Sequence, residues 1–374
     1  MKKRIGIVSI WFRRGQTYVA LQVKSALEKN GFEVFTLGRK GGIGGNYPME
    51  DTRDELSIGN FTTTKDYAVD AETFSRWGKD NSLDGVVFIE EQWQRSPNLG
   101  ALCKLLGIPS FNIIMWEFFN PDDREFYQEF DRLIFPIRCG YDKAISHGYA
   151  DSEYVPWGID FSLWDRESIG GIDRGTDESV RFFHSSGWGG IYGRKQTQLI
   201  VEAFLGIEKD INAKLLIHRQ SLDRSGVVTK EKISDKVLVL TGDISVDGLK
   251  RMYAFSDFSI NVSKWEGLGL NFLESAAMGV PVISVAAQPM SEWAKAIGSD
   301  GLICSLEKET FYPGICVGGA EVSVNSLQGK IIDASKMKRG HINAWKEATL
   351  VCAKEKLDWA ENGNRLSDVV KELV

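Results

Sequence analysis

Two glutamates, Glu266 and Glu274, lie eight residues apart on either side of a short glycine loop. A carboxylate accepts hydrogen bonds from neighbouring hydroxyl groups, such as those of a ribose or a hexose. The loop follows a strand-like run and precedes a helical pattern, so its backbone N–H groups suit an anion such as a diphosphate. The spacing therefore predicts a site for a phosphorylated, hydroxyl-rich ligand. Between the two acids, the loop and the helix start consist of Gly267, Leu268, Gly269, Leu270 and Asn271.

The same residues are also compatible with a purely structural role. Asn271 and Glu274 have the spacing of a capping box, in which Glu274 would only satisfy the backbone of its own helix. Glycines beside a helix start also occur in tight turns that bind nothing. On spacing alone, both interpretations stay open.

A basic pair, Arg194 and Lys195, follows a second glycine loop with glycines at Gly187, Gly189 and Gly193. A strand, a glycine loop, cations and a helix in this order are typical of a phosphate-binding cradle. The alternative is a solvated basic helix start, although cations at a helix N-terminus are unfavourable without an anion. The glycine spacing also resembles a dinucleotide fingerprint, which expects an acid about 20 residues later. His218-Arg219 stand there instead.

Alternating strand-like and amphipathic helical segments must position these residues. A βαβ pattern at residues 4–37 requires a parallel sheet. Residues 85–89 are predicted to be a further strand, and residues 39–65, rich in Gly, Thr, Asn and Asp, are predicted to be a loop. A second series of strands and helices begins near Val180, after a polar stretch at residues 170–175, and includes a predicted helix at residues 246–255. We predict an α/β fold with two Rossmann-like domains, over residues 1–157 and 158–345, whose ligands bind at the carboxyl ends of the strands.

Six tryptophans directly follow predicted strands. Their rings could line a ligand cleft or pack an interface between domains, and the sequence leaves both interpretations open. These residues are Trp11, Trp93, Trp116, Trp157, Trp188 and Trp265.

Composition excludes several classes of protein. The chain has 374 residues, 43% of them hydrophobic and 26% charged, which is typical of a globular protein with two domains. The net charge of -6 shows no bias towards nucleic acid, and the five cysteines are dispersed, as in a reducing cytoplasm. The four histidines have no partners at ligand spacing and are predicted to be structural, and no metal site is expected.

No apolar run approaches the roughly 20 residues that span a bilayer. The apolar stretch after the basic start, residues 5–12, is too short for a signal peptide and is interpreted as a first strand. We therefore expect a cytoplasmic protein, for which a peripheral contact with a membrane stays open.

Residues 266–283 resemble the E-x7-E signature of retaining GT-B glycosyltransferases, most closely glycosyltransferase family 4. Both acids, the intervening Gly-x-Gly, a helix of small residues and its Gly-x-Pro terminator occur in order. The resemblance implies a GT-B fold, with two Rossmann-like domains facing a central cleft and C-terminal helices at residues 346–374 packing back on the N-terminal domain. It also implies that Glu266 lies by the donor sugar, that residues 267–270 contact the sugar and the diphosphate, and that Glu274 binds the ribose.

The resemblance further implies that Arg194 and Lys195 hold the donor diphosphate, with Gly189 in the donor loop. The usual arginine directly after the strand glycine is missing, and Trp188 stands in its place. In the N-terminal domain, Arg13 and Gly15 follow the first strand, where the family has a glycine-rich loop near the donor phosphates.

The histidine that the family often carries near the donor sugar is absent from the corresponding N-terminal stretch. Trp116 and Glu117 stand there instead, and Glu90 ends another strand. Arg13, Glu90, Trp116 and Glu117 are therefore the acceptor-side candidates. Glu117 fits an acceptor-positioning carboxylate and an ordinary helix-start acid equally well.

Together, these implications predict a retaining, metal-independent hexosyltransferase. It would move a hexose from a UDP- or GDP-sugar to a hydroxyl of a glycan, lipid-linked or other acceptor, with the nucleotide sugar as substrate and no further cofactor. Two alternatives stay open. One is a GT-B sugar-nucleotide epimerase or phosphorylase, and the other is a non-catalytic two-domain sugar-binding protein.

Overall fold

The computed structural model describes residues 2–11, 15–40, 59–171, 176–187, 191–220 and 233–374. The chain forms two units: Met1–Gly158 together with Trp359–Val374 is unit 1, and Ile159–Asp358 is unit 2. Each has its own parallel sheet, which confirms the predicted α/β class.

Unit 1 contains a parallel sheet of seven strands among the described residues, in the order β3-β2-β1-β4-β5-β6-β7. Helices connect the strands, and the last helix of the chain returns to this unit. The strands are β1 (Arg4–Ile10), β2 (Glu33–Arg39), β3 (Asn60–Thr63), β4 (Gly85–Ile89), β5 (Ser110–Ile113), β6 (Arg132–Phe135) and β7 (Ser152–Tyr154). The helices are α1 (Gly15–Lys29), α2 (Ala71–Asp80), α3 (Leu99–Leu106), α4 (Arg124–Tyr127), α5 (Arg138–Ser146) and, at the end of the chain, α12 (Trp359–Lys371).

Unit 2 contains a parallel sheet of six strands in its described part, in the order β10-β9-β8-β11-β12-β13, and a separate antiparallel hairpin of β14 and β15. The strands are β8 (Val180–Gly187), β9 (Ala213–Arg219), β10 (Val237–Thr241), β11 (Phe258–Ile260), β12 (Val282–Val285), β13 (Ile303–Cys304), β14 (Leu306–Thr310) and β15 (Gly319–Val322). The helices are α6 (Thr197–Leu205), α7 (Val246–Phe255), α8 (Leu270–Ala277), α9 (Met290–Ala296), α10 (Val324–Ser335) and α11 (Arg339–Lys356).

The central strands have the continuous apolar sequences that a sheet covered on both faces requires. Every residue of β4 and of β12 is buried. The predicted strand at residues 85–89 and the predicted helix at residues 246–255 have the same bounds in the structure. Strand β3, by contrast, lies within a segment that the sequence predicts as a loop, and most of its side chains are exposed.

The last helix packs against the first one. Trp359 Nε1 donates a hydrogen bond to the carbonyl of Gln22, with 2.9 Å between the atoms, and the Trp359 and Trp157 ring centroids lie 4.2 Å apart. The predicted boundary between residues 345 and 346 falls inside α11, which lies in unit 2. In the described residues, no helix is both long and apolar enough to cross a membrane.

A ligand-lining role is wrong for three of the six tryptophans. Trp11 and Trp157 are 0% exposed and Trp265 is 1% exposed, so their rings belong to the cores of their units. Trp93 is 38% exposed and Trp116 is half-buried, whereas Trp188 lies outside the described residues.

Candidate functional site

Two chain segments meet at the carboxyl edge of the unit 2 sheet. One follows β8 and carries Arg194 and Lys195 to the start of α6, and the other follows β11 and carries Lys264 and Glu266. The Lys264 N–H donates to the Arg194 carbonyl over 2.8 Å, which fixes the two segments side by side. Lys195 and Arg194, which are 71 and 72 positions from Glu266 in the sequence, thereby become neighbours of Glu266.

Arg194 and Lys195 both pair with Glu266. Arg194 Nη1 lies 2.6 Å from Glu266 Oε2, and Lys195 Nζ lies 2.6 Å from Glu266 Oε1. Lys195 is 6% exposed and Glu266 4% exposed, so the interpretation of a solvated basic helix start is wrong. The carboxylate also compensates the unfavourable position of a cation at a helix start. Two cations and one carboxylate leave a local positive charge for an incoming anion.

The environment of this cluster keeps Glu266 ionised. Burial alone would raise the pKa of Glu266, but Arg194 and Lys195 outweigh burial and lower that pKa to about 2. Burial lowers the pKa of Lys195, and the neighbouring Glu266 carboxylate opposes this change. Glu266 is therefore a fixed anion at neutral pH, able to accept hydrogen bonds but not to donate a proton.

The glycine loop after Glu266 ends at the N-terminus of α8. Gly269 precedes the helix with a φ of 77°, a conformation that favours glycine. A Cβ atom there would lie 3.2 Å from the Trp293 ring and 3.3 Å from Phe272. Trp293 Nε1 also donates to the carbonyl of Leu268 over 2.7 Å. The loop is thus held in place, next to backbone N–H groups that have no partner within their own helix.

The capping-box interpretation of Asn271 and Glu274 is wrong. Gly269 occupies the N-cap position, and no side chain caps α8. Asn271 Nδ2 instead donates to the Ser185 carbonyl at the end of β8, over 2.8 Å. Glu274 accepts a hydrogen bond from the Tyr253 hydroxyl over 3.1 Å, and burial raises the pKa of Glu274 to about 7. Its carboxylate is therefore available for a function other than helix capping.

His184 supports the cation segment from inside the sheet. Its Nδ1 lies 2.9 Å from the Ile260 carbonyl and its Nε2 lies 2.9 Å from Thr197 Oγ1. Burial lowers the pKa of His184 to about 4, so the ring is neutral, Nδ1 donates to the carbonyl and Nε2 accepts from Thr197. His184 therefore joins β8, β11 and the first residue of α6.

Sequence reasoning missed Lys264 and the hairpin of β14 and β15. Lys264 Nζ donates to the Tyr192 carbonyl over 3.0 Å and to the Tyr312 hydroxyl over 2.6 Å. The Tyr192 and Tyr312 rings stack with their centroids 5.0 Å apart. Tyr192 has a φ of 56°, and Lys264 thus anchors a strained residue close to Arg194. The position of Lys264, two residues before Glu266, was a visible signal, but Tyr312 lies 48 residues away in the chain.

The acceptor-side candidates all belong to unit 1. Glu90 follows β4 with a left-handed φ of 57°, and burial raises the pKa of its carboxyl to about 7. Glu117 is 6% exposed and lies with Trp116 in a short turn after β5. Arg13, the remaining acceptor-side candidate, lies outside the described residues.

Two donor-side candidates lie outside the cation cluster. Gly15 is the first residue of α1 and is exposed. Gly189 lies outside the described residues.

Unit 1 also contains a buried ion pair that was not predicted from the sequence. Arg39 Nη2 lies 2.7 Å from each carboxylate oxygen of Glu91, and both residues are at most 3% exposed. Within the part of the chain that the structure describes, no three His, Cys, Asp or Glu side chains are grouped as metal ligands.

Sequence comparison matches the segment that contains the cluster. Residues 188–314 match the family model of Glycosyl transferases group 1. Over 119 residues the chain is 30% identical to N-acetyl-alpha-D-glucosaminyl L-malate synthase of Bacillus anthracis. That match covers 31% of this chain and 30% of the relative, so the chain matches less than a third of the relative's length.

Similar solved structures cover nearly the whole chain. A glycosyltransferase of Rickettsia africae has a TM-score of 0.75 at 13% identity, covering 100% of this chain and 98% of that one. Sucrose-phosphate synthase of Thermosynechococcus elongatus has a TM-score of 0.71 at 13% identity, covering 100% and 99%. A trehalose-6-phosphate synthase, an enzyme of glycosyl transfer with retention, has a TM-score of 0.68 at 12% identity, covering 100% of both chains. The predicted GT-B fold is confirmed by these structures. The resemblance to glycosyltransferases is confirmed by the match to the family model of Glycosyl transferases group 1.

Proposed function

We propose that the protein is a retaining glycosyltransferase that transfers a hexose from a nucleotide diphosphate sugar to a hydroxyl of a glycan, a lipid-linked molecule or another acceptor. The observation that carries this proposal is the convergence of Arg194 and Lys195 on Glu266, beside the start of α8. Cations, backbone N–H groups and a carboxylate in one place suit a ligand that is anionic at one end and rich in hydroxyls at the other.

Each group has a role in this proposal. Lys195, Arg194 and the backbone N–H groups at the start of α8 bind the diphosphate. Glu266, held ionised by the two cations, accepts hydrogen bonds from hydroxyls of the transferred hexose. Glu274 accepts hydrogen bonds from the ribose hydroxyls. In unit 1, Glu90, Trp116 and Glu117 are candidates for positioning the acceptor.

The cations act on the leaving group. The bond between the anomeric carbon and the diphosphate oxygen breaks through an oxocarbenium-like state, and the acceptor oxygen forms its bond on the same face. The acceptor proton passes to a diphosphate oxygen. Because negative charge grows on the diphosphate as its bond breaks, fixed cations directed at it lower the barrier more than they strengthen ground-state binding. Glu266 holds these cations in position before the substrate arrives.

Slow hydrolysis of donors tests the reaction class. The purified protein is incubated separately with radiolabelled UDP-, GDP- and ADP-sugars, and released sugar is separated from intact donor. Release of free hexose from one nucleotide class, with the anomeric configuration retained, is the expected result. The variant Lys195→Met is the matched control, since it keeps the length of the side chain and removes its charge.

Other products would identify the alternatives. An altered sugar still attached to the nucleotide would indicate an epimerase, and a sugar phosphate formed only with inorganic phosphate would indicate a phosphorylase. Tight binding of sugars with no turnover of any donor would indicate a binding protein. Each of these results contradicts the proposed transferase.

A further inference from the structure

Arg219 differs from the other deeply buried arginines of the described residues. Arg39, Arg181 and Arg219 are each at most 4% exposed. Arg39 pairs with Glu91 at 2.7 Å, and Arg181 pairs with Asp177 at 3.3 Å. No carboxylate of the described residues forms an ion pair with Arg219.

Within the described part of the chain, the guanidinium of Arg219 has few hydrogen-bond partners. Its Nε donates to the Thr241 hydroxyl over 2.9 Å, and its buried Nη1 has no hydrogen-bond partner among the described residues. Burying a charge without a counter-charge is strongly unfavourable. In other proteins, removing one partner of a buried ion pair destabilises the fold because the remaining charge is left uncompensated. A residue kept in this state requires an explanation other than stability.

Arg219 lies at the edge of the sheet that carries the candidate donor site. It is the last residue of β9, and it is in register with Gly187 at the end of β8 and with Thr241 at the end of β10. Thr241, which accepts the hydrogen bond of Arg219 Nε, is itself exposed at this edge. The chain from Gly187 leads directly to Arg194 and Lys195. Arg219, at 3% exposed, is as enclosed as Lys195 and Glu266, at 6% and 4%.

We propose that Arg219 binds a phosphate group of a substrate, as a third cation of unit 2 beside Arg194 and Lys195. The inference rests on the proposed function for the identity of the substrate. A guanidinium binds phosphate through parallel hydrogen bonds, and the phosphate would supply the counter-charge that no described carboxylate supplies. In dinucleotide-binding folds, an acid about 20 residues after the glycine loop binds a ribose hydroxyl, and a nearby arginine accommodates a phosphate on that ribose instead. The phosphate belongs either to the donor nucleotide or to a phosphorylated acceptor.

Three variants of the full-length protein test this role. Arg219→Met removes the charge at similar volume, and Arg219→Lys keeps a positive charge. Arg251→Met is the control, since Arg251 is an exposed arginine on α7 of the same unit, whose Nη1 donates to the Ile169 carbonyl over 3.4 Å. Binding is measured by titration calorimetry with UDP, GDP and ADP, with the corresponding nucleosides, with inorganic pyrophosphate and with glucose 6-phosphate. Thermal unfolding without ligand is measured in parallel.

The expected result is a separation of binding from stability. Arg219→Met should lose about tenfold in affinity for a phosphate-bearing probe, which corresponds to about 1.4 kcal/mol, and Arg219→Lys should lose less. The unfolding temperature of Arg219→Met without ligand should equal or exceed that of the wild type, because this variant no longer buries the charge of Arg219. A loss confined to nucleoside diphosphates and pyrophosphate assigns the phosphate to the donor. A loss confined to glucose 6-phosphate assigns it to the acceptor.

Three results would overturn the inference. The first is an unchanged affinity of Arg219→Met for every phosphate probe, and the second is that no phosphate probe binds to the wild type. The third is an equal loss of affinity for the nucleosides, which would mean that Arg219 contacts the nucleoside and not a phosphate. Failure of the proposed function looks different. In that case the wild type binds pyrophosphate or glucose 6-phosphate through Arg219 but turns over no nucleotide sugar. Conversely, nucleotide binding that depends on Lys195 but not on Arg219 supports the function and rejects this inference.

Discussion

Lys195 Nζ lies 2.6 Å from Glu266 Oε1, and both side chains are almost fully buried. Neither charge would be tolerated in this position alone, because burial penalises an isolated ion far more than a pair. Arg194 completes the arrangement from the more exposed side, with a quarter of its side chain accessible. The sheet edge therefore has its cations in place before a ligand binds, and Glu266 sets their geometry.

Replacing Lys195 by methionine should lower turnover more than donor affinity. If Lys195 stabilises the charge that develops on the departing diphosphate, its loss should reduce kcat by about 10²–10³, as for other donors that act mainly in the transition state. Steady-state kinetics give kcat, and calorimetry gives the affinity for the donor. Lys209→Met, at an exposed position of the same unit, is the control. A kcat close to that of the wild type would remove Lys195 from the reaction.

Glu266→Gln should destabilise the protein and change how its stability depends on acid. Removing one partner of a buried pair typically costs about 3–5 kcal/mol of unfolding free energy. The folded-state pKa of Glu266 is about 2, below its ordinary value of 4.5, so its contribution is fully present above pH 4.5 and is lost as the pH falls towards 2. Urea unfolding at several pH values should show the difference between wild type and variant narrowing across this range. A difference that does not depend on pH would contradict the assigned ionisation.

The sequence predicts the central parts of both sheets because their strands are continuous apolar runs. The bounds of β4 and of α7 are predicted correctly, since the β4 residues are all buried and the Ser245 side chain caps the first turn of α7. Strand β14 could not be predicted in this way. Four of its five residues are exposed, and it is a strand only because β15 pairs with it.

The sequence identifies the residues of the candidate site, but it does not predict which of them contact each other. The spacing of Glu266 and Glu274, and the basic pair before α6, identify residues that the structure places in one unit. Their direct pairing is not visible in the sequence, because Arg194 and Glu266 are 72 residues apart and the sequence assigns them to different parts of the ligand. Lys264 was missed for a related reason: its role depends on Tyr312, on a hairpin that tertiary pairing creates.

Glu274 should make both stability and donor binding depend on pH near neutrality. Its folded-state pKa is raised from 4.5 to about 7 by burial, so the native state holds a proton that the unfolded chain has lost. Stability should therefore fall as the pH rises from 4.5 to 7, and the variant Glu274→Gln should be more stable than the wild type at pH 8 by about 1–3 kcal/mol. Chemical unfolding at pH 5 and at pH 8 measures this difference, with the exposed Glu202→Gln as control.

Donor binding should change in the opposite direction, because the ionised carboxylate is the form that accepts two ribose hydroxyls. Wild-type affinity should rise as the pH passes through about 7, and Glu274→Gln should bind more weakly and without this dependence. The Tyr253 hydroxyl donates to Glu274 and lowers its pKa, so Tyr253→Phe should move the midpoint to higher pH. Titration calorimetry across the range measures both effects. An unchanged affinity of Glu274→Gln would exclude its role towards the ribose.

Lys264→Met should impair turnover through the position of Arg194 and not through a direct contact with the substrate. Its ammonium joins the Tyr192 carbonyl to the Tyr312 hydroxyl, at 3.0 and 2.6 Å, and without it the strained backbone at Tyr192 loses its anchor. We expect kcat to fall about tenfold, as for a residue that holds catalytic groups in position. Lys308→Met is a matched control. Lys264 and Lys308 both lie near Glu321 on the hairpin, at 3.8 and 3.4 Å, but in the described contacts Lys308 reaches neither tyrosine. Lys264→Arg should recover part of the loss by donating to the same oxygens. Equal effects of Lys264→Met and Lys308→Met on kcat would mean that the hairpin acts only through general stability, which thermal unfolding of the two variants would then reveal.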